Sequence, residues 1–306
     1  MPCQPVSNPF SPVTRWLFRS SLIYLLVPYL AIFVLMGVFQ RDFIYQPRKT
    51  GRLLAQSVTK DPPVEDVQMQ SVDGLTIHGW RYRSVAGQDA KFLVIYFPGN
   101  AGCRADRVGD CRDFNQLGFD VVLFDYRGYG DNQGSPSEKM LASDASQVWK
   151  FATNELNYAP DRIIIFGESM GGAMATRLAS DCSVAGTPPA ALILNSTFAS
   201  LAETVAWHYP MFPFPLILLD RYPSVERIAQ VKCPVLSFHG TADHVVAFEQ
   251  GHRLFNAAPD RSALGIEKRL VQIPDGQHNF ITMSDMRDAV ETMMRAVIES
   301  KAEAGE

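Results

Sequence analysis

The sequence predicts an α/β fold, a mostly parallel central sheet flanked by helices, and three observations carry that reading. First, five short runs are almost wholly apolar: Phe92–Phe97, Val121–Phe124, Ile163–Phe166, Ala191–Leu194 and Val235–Phe238. Parallel strands covered on both faces have this character. Second, longer helix-like stretches separate the runs, at about 103–117, 138–154, 170–180 and 247–257. Strands that alternate with helices make a parallel sheet with right-handed crossovers. Third, a last strand near Arg269–Ile273 leads into a helix from about Ser284 to Ser300.

Upstream, Asp66–Ser71 and Leu75–Arg83 flank Asp73-Gly74, a dipeptide that marks a hairpin. The chain shows no internal repeat and no low-complexity tract. Its 306 residues accommodate one large domain or two small ones, and with 47% apolar residues a large core is expected. Twenty-eight basic against 32 acidic residues leave a net charge of −4. That balance excludes the basic excess of a nucleic-acid binder. The five cysteines, Cys3, Cys103, Cys111, Cys182 and Cys233, form no C-x-x-C pair, so a zinc site or redox pair is not expected. On one helix Cys103 and Cys111 would stand about 12 Å apart, too far to bridge. No metal or organic cofactor is implied, and nothing speaks to oligomeric state.

The amino terminus has a different character. Residues 1–41 contain no Asp or Glu; Arg15 and Arg19 precede an apolar run from Leu22 to Phe39, and Arg41 closes it. As a helix the run spans about 27 Å, close to the thickness of bilayer hydrocarbon. Pro28 and Gly37 lie inside it, and membrane helices tolerate both. A cleaved signal peptide would be shorter and end in a small-x-small site, which Leu35-Met36-Gly37-Val38-Phe39-Gln40 does not supply. The expected organisation is a tail at 1–21, an uncleaved single-pass anchor at 22–40, a juxtamembrane connection at 41–62 and the α/β domain at 63–306. Arg41, Arg48, Lys49 and Arg52 favour a cytoplasmic domain by the positive-inside rule, whereas a short, acid-free basic tail favours export. Export is the expectation adopted.

Function is written in three places. The strand Arg162–Phe166 runs into Gly167-Glu168-Ser169-Met170-Gly171-Gly172 and then the small-residue helix Ala173–Ala179. This is G-x-S-x-G at a strand-turn-helix junction, where a serine is lifted above the sheet edge beside free helix N–H groups. Ser169 is the expected nucleophile; a mere helix cap would not need the apolar strand before it. A serine hydroxyl needs a base, and the base an orienting acid. In the order Ser, acid, His, Asp243 follows the strand Val235–Phe238 and His278 follows the last strand. Of the other histidines, His78 is expected exposed on an early strand, His252 on a helix surface and His239 packed at a strand end. His244 adjoins Asp243, and His208 sits in an insertion where it can touch substrate. Asp275 is read as a turn former, and Asp220 and Asp260 have weaker strand context. The oxyanion donors are expected to be the backbone N–H groups of Met170 and of Asn100, in the loop Pro98-Gly99-Asn100-Ala101-Gly102.

Together these residues resemble the α/β-hydrolase superfamily, and more narrowly its membrane-anchored ABHD-type branch of serine hydrolases. The resemblance rests on Phe97–Gly102, Asp125-Tyr126-Arg127-Gly128-Tyr129-Gly130 with Gly134–Glu138, Gly167–Gly172, His239-Gly240 with Asp243, and Gly276–His278. It covers about residues 66–300. It implies the α/β-hydrolase fold with a small lid, preceded by one membrane helix. The branch typically carries His where this chain has Pro98, so the supports of the oxyanion loop differ here. The Asp125–Gly130 stretch is read as a structural brace.

The lid is expected at about 196–230. Its aromatic and proline density makes Trp207, His208, Tyr209 and Phe212 candidate substrate contacts in an apolar pocket. The expected activity is hydrolysis of carboxyl esters or thioesters, lipid-like acyl substrates included, through a covalent acyl-enzyme. Its partners are a small-molecule or lipid-like ester and a membrane, reached by the N-terminal helix; no nucleic acid is expected. The alternatives are a peptidase or amidase with the same triad and a non-catalytic membrane-bound scaffold.

Overall fold

A computed structural model describes residues 11–59, 63–84 and 91–304. Eight strands form one sheet: β1 Val64–Gln70, β2 Thr76–Tyr82, β3 Leu93–Phe97, β4 Asp120–Phe124, β5 Ile163–Glu168, β6 Ala191–Asn195, β7 Val235–Gly240 and β8 Arg269–Ile273. Their spatial order is β1-β2-β4-β3-β5-β6-β7-β8. The hairpin β1–β2 is antiparallel and joins β4 antiparallel; all other pairings are parallel. Every residue of β3, β4, β6 and β7 is buried, as strands screened on both faces require.

The helices are α1 Pro12–Val38, α2 Gln40–Ile44, α3 Val108–Gln116, α4 Glu138–Lys150, α5 Met170–Val184, α6 Leu201–His208, α7 Ser224–Ile228, α8 Phe248–Ala257 and α9 Met283–Ala304. They cover the sheet from two sides. One core cluster gathers α4, α5, α7 and α8 under one face, around Ile95, Leu178, Leu192 and Leu254. The other gathers α3 and α9 under the opposite face, around Phe114, Phe166, Phe238 and Val290. Ser137 caps α4 through the N–H of Met140, and α4 runs on into a π-helical turn at Phe151–Glu155.

Two expectations shift in detail. The helix expected from residue 103 begins as a 3-10 turn at Arg104–Arg107 before α3, because the Asp106 carboxylate folds back to accept the N–H of Cys103. Cys103 and Cys111 therefore lie on separate elements, and Cys103, Cys111, Cys182 and Cys233 are free and buried. Cys3 and the tail residues 1–10 lie outside the described residues, as do 60–62. Residues 41–59, expected as a connection, are instead woven into the domain. Gln46–Pro47 pairs in parallel with Ala101–Gly102, Thr50 N–H donates to Gly130 O, and Gly130 N–H donates to Arg48 O.

Within α1, Ser20–Val38 is long and apolar enough to cross a membrane, with a mean hydropathy of 2.3 and none of that stretch buried in the protein. It begins two residues before the expected start and ends two before the expected end. Its lower half meets the insertion between β6 and β7. Tyr29 stacks on Phe212 with ring centres 4.7 Å apart, and Phe33 stacks on Phe214 at 5.5 Å.

Candidate functional site

The chain turns sharply at the end of β5. Ser169 has φ 51° and ψ −118°, a left-handed conformation that costs a non-glycine residue about 1–3 kcal/mol. The surroundings hold it there: Ser169 N–H donates to Asn195 O, and Thr197 Oγ1 donates to Ser169 O. The start of α5 presses against the end of β3. A Cβ on Gly171 would fall 2.5 Å from the carbonyl carbon of Phe97 and the carbonyl oxygen of Pro98, so only glycine allows this approach.

The loops after β7 and β8 bring the other two residues to the serine. They are clamped together: Thr241 N–H donates to Ile273 O, and Ala242 N–H to Gly276 O. Gly240 lies so close to the Gly276 backbone that no side chain fits between them. Asp275 sits in the turn with φ 55°, its N–H bonded to Thr241 Oγ1 at 2.9 Å. It shapes the turn, as expected. His278 Nδ1 then lies 2.7 Å from Asp243 Oδ2, and His278 Nε2 lies 2.9 Å from Ser169 Oγ.

The Asp243 side chain is buried. Burial by itself raises a carboxyl pKa. Hydrogen bonds from His239 and His278, the charge of His278 when protonated and the N–H of Val246 outweigh it, and hold Asp243 well below the usual carboxylate range. A carboxylate only accepts, so His278 Nδ1 carries the proton and Nε2 faces the serine as an acceptor. His239, packed as expected, lies 3.3 Å from the same carboxylate oxygen and donates Nε2–H to Val246 O at 2.9 Å. His244 and His252 are exposed; His78 is half-buried rather than exposed, because β2 lies inside the sheet.

The loop Pro98–Gly102, the expected place of the second oxyanion donor, is held from several sides. Tyr126 OH donates to Pro98 O and Tyr129 OH to Asn100 O, each at 2.7 Å. Asn100 Nδ2 donates to Ile44 O at 2.8 Å, and Gln46 N–H donates to Asn100 O. The Asp125–Gly130 stretch thus braces the loop, and Arg127 is itself tied to Asp144 and Asp73. The side chain and carbonyl of Asn100 are both engaged by the chain around them. The N–H of Met170 is among the first of α5, which have no intrahelical acceptor.

Ser169, Met170 and Asn100 open on an apolar cavity of about 210 Å³. Of the four lid residues expected to touch substrate, Tyr209 lines it and Trp207, His208 and Phe212 do not. The reason is geometric. His208 Nε2 is bonded to Val245 O at 2.8 Å, Phe212 is taken up by the rings of α1, and Trp207 is exposed. Met36, Gln40, Phe43 and Ile44 from the amino-terminal segment fill the same boundary with Phe214 and Leu218. Sequence reasoning missed those four, and no local pattern marks them, since their partners lie about 60 to 200 residues away. Among the described residues no cluster of three or more His, Cys, Asp or Glu is placed to hold a metal.

The family described as Hydrolase_4, serine aminopeptidase S33, matches residues 88–221. An uncharacterized protein of Mycobacterium tuberculosis is 38% identical over 284 residues, covering 92% of this chain and 96% of that one. The lysophosphatidylserine lipase ABHD12 of Danio rerio is 30% identical over 298 residues, covering 83% and 76%. The chain belongs to the α/β-hydrolase superfamily, in its ABHD-type branch. Solved structures agree on the fold: an alpha-beta hydrolase from Vibrio vulnificus superposes with a TM-score of 0.66 at 18% identity, over 94% of this chain and 95% of that one. The Pyrococcus furiosus esterase Pf2001 gives 0.58 at 18% identity, over 85% and 97%. The chain is therefore a hydrolase built on this fold.

Proposed function

We propose that the protein is a serine hydrolase of carboxyl esters or thioesters, with Ser169 as nucleophile, His278 as base and Asp243 as the acid that orients it. The observation that carries this is the unbroken line from Asp243 through His278 to Ser169, at 2.7 and 2.9 Å, ending on the wall of an apolar cavity. His278 Nε2 takes the proton as Ser169 Oγ bonds to the acyl carbon. The oxygen that gains charge is met by the N–H groups of Asn100 and Met170. The leaving alcohol or thiol departs with the proton from His278. Water, deprotonated by the same nitrogen, then releases the acid and restores the serine.

The cavity favours acyl groups. None of its lining residues is charged, so a substrate's α-amine finds no carboxylate there, and aminopeptidase action fits poorly despite the family's description. Its volume lies below the roughly 300–1,000 Å³ that encloses a drug-sized ligand, which suits a single acyl chain of medium length. The lipase name of the Danio rerio relative points the same way. The insertion of residues 196–234 serves as the lid. The helix Ser20–Val38 serves as a single-pass anchor, with the domain on the exported side, and the hydrolase unit takes in residues 41–59 beside the expected 63–306.

Ser169→Ala should abolish labelling by a fluorophosphonate probe and ester hydrolysis together. Labelling that persists at another serine would refute the assignment. On a panel of p-nitrophenyl esters, medium chains should turn over faster than short charged ones.

A further inference from the structure

The geometry points to a second role for the insertion between β6 and β7: it is a membrane-embedded element that opens the cavity toward one leaflet, so that acyl esters enter sideways from the bilayer. This rests on the hydrolase and anchor reading above and adds the route and the physical state of the substrate.

Four observations carry it. The insertion does not stop at the base of α1 but climbs beside it. Tyr29 OH donates to Met211 O at 2.7 Å, and Tyr29 lies nine residues before Val38. At 1.5 Å per residue, Met211 therefore sits about 14 Å up the apolar stretch. If that stretch spans hydrocarbon, Met211 lies deep in one leaflet.

The insertion's composition suits that depth. From Tyr209 to Leu219 no residue is charged. The outward side chains are apolar, with Met211 76% and Leu216 82% exposed. A soluble surface gains nothing from such a crest, and its continuity with α1 names the bilayer as its occupant.

Its backbone suits that depth as well. Irregular chain survives in hydrocarbon only when its polar groups are paired within the protein. Pro213 and Pro215 have no N–H, and every other N–H from Phe212 to Leu219 is bonded. Phe212 donates to Tyr209 O, Phe214 to Phe212 O, Leu216 to Pro213 O, and Ile217 and Leu218 to Phe214 O. Leu219 donates to Gln40 Oε1 at 2.7 Å.

Finally, the cavity wall is shared between the two elements. Met36 of α1 and Phe43 of α2 line it together with Tyr209, Phe214 and Leu218 of the insertion and with Ser169. The seam between α1 and the insertion is thus a boundary of the acyl site, and the same insertion carries the apolar crest of Met211 and Leu216.

The test uses the full chain in phosphatidylcholine vesicles. Nitroxide labels are placed at Met211→Cys, Leu216→Cys and Val184→Cys, with Cys3 replaced by Ser. Val184 is exposed at the far end of α5, about 22 Å of helix from Ser169. Collision with oxygen should exceed collision with a water-soluble nickel chelate at 211 and 216, and the reverse should hold at 184. Nickel accessibility at 211 and 216 equal to that at 184 would overturn the proposal. In a second arm, Leu216→Glu should slow hydrolysis of a bilayer-resident monoacyl ester about tenfold, because a carboxylate in hydrocarbon is costly, while p-nitrophenyl acetate is cleaved as before. Unchanged turnover of the bilayer ester would count against it. If the wild-type chain cleaves neither ester, the hydrolase reading fails, and the collision measurement still decides this one.

Discussion

Gly171→Ala tests whether the tight contact between α5 and β3 holds the oxyanion loop in place. The added Cβ would stand 2.5 Å from both the Phe97 carbonyl carbon and the Pro98 oxygen, and nearer still to the Phe97 oxygen. Cβ contacts under 3.0 Å are essentially never seen, so either α5 or the Phe97–Pro98 peptide must retreat by about 1 Å to clear the Phe97 oxygen. Phe97 and Pro98 lead directly to Asn100, and Gly171 follows Met170, so the retreat separates the two proposed oxyanion donors. A misplacement of about 1 Å costs on the order of 100-fold in rate, and overpacking of this kind costs about 1–3 kcal/mol in stability. The assay is kcat/KM for p-nitrophenyl butyrate beside thermal unfolding, with Gly109→Ala as the control. Gly109 lies in α3 with open space around it, so its substitution should stabilise by up to about 1 kcal/mol and leave the rate alone. A Gly171→Ala enzyme whose kcat/KM matches wild type would refute the reasoning.

Asp243→Asn should lower kcat by about 10⁴, since an amide no longer enforces the His278 tautomer, and steady-state kinetics reads this. The folded pKa of Asp243 is depressed, so the stability it contributes is present above its unfolded value, about 3.9, and is lost as pH falls through the folded pKa. The Tm gap between wild type and variant should therefore stay constant from pH 8 to about 5 and shrink below about 4. Met36→Trp should fill the outer part of the cavity. We expect medium-chain esters to lose about tenfold or more in kcat/KM relative to acetate, and an unchanged chain-length profile would remove Met36 from the acyl site.

What was legible in the sequence was what repeats locally. An apolar run of five residues cannot satisfy both of its faces unless it is covered twice, so the buried strands and their order of helices followed from composition alone. Ser169, Asp243 and His278 were legible for a related reason. Each stands just past the end of a strand whose direction is set by its apolar run, so the three had to reach one edge of the sheet. The insertion proposed as the lid was not legible at the level of single side chains. Trp207, His208 and Phe212 have the chemistry of pocket residues, but which way an aromatic side chain points depends on what else competes for it. Here Val245 takes His208 and the rings of α1 take Phe212. Aromatic density marked the right segment and could not assign its faces.

The same limit explains the amino-terminal segment, which hydropathy marks as a tether and the contacts make part of the domain. A tether needs no specific contact, and the upper turns of α1 are exposed. Its lower end is different. Asp220, only 3% exposed, accepts from Arg41 at 2.9 Å, from Tyr45 OH at 3.1 Å and from the N–H of Glu138 at 3.1 Å. A buried carboxylate without such partners would cost several kcal/mol, so residues 41–45 help hold the segment around Asp220 as folded. Ile44 O meanwhile holds the Asn100 side chain. Removing residues 1–45 to obtain a soluble enzyme would therefore strip Asp220 of its cation, the cavity of one wall and the oxyanion loop of a support. Such a fragment would keep Ser169, Asp243 and His278, and its ester preferences would describe a different site.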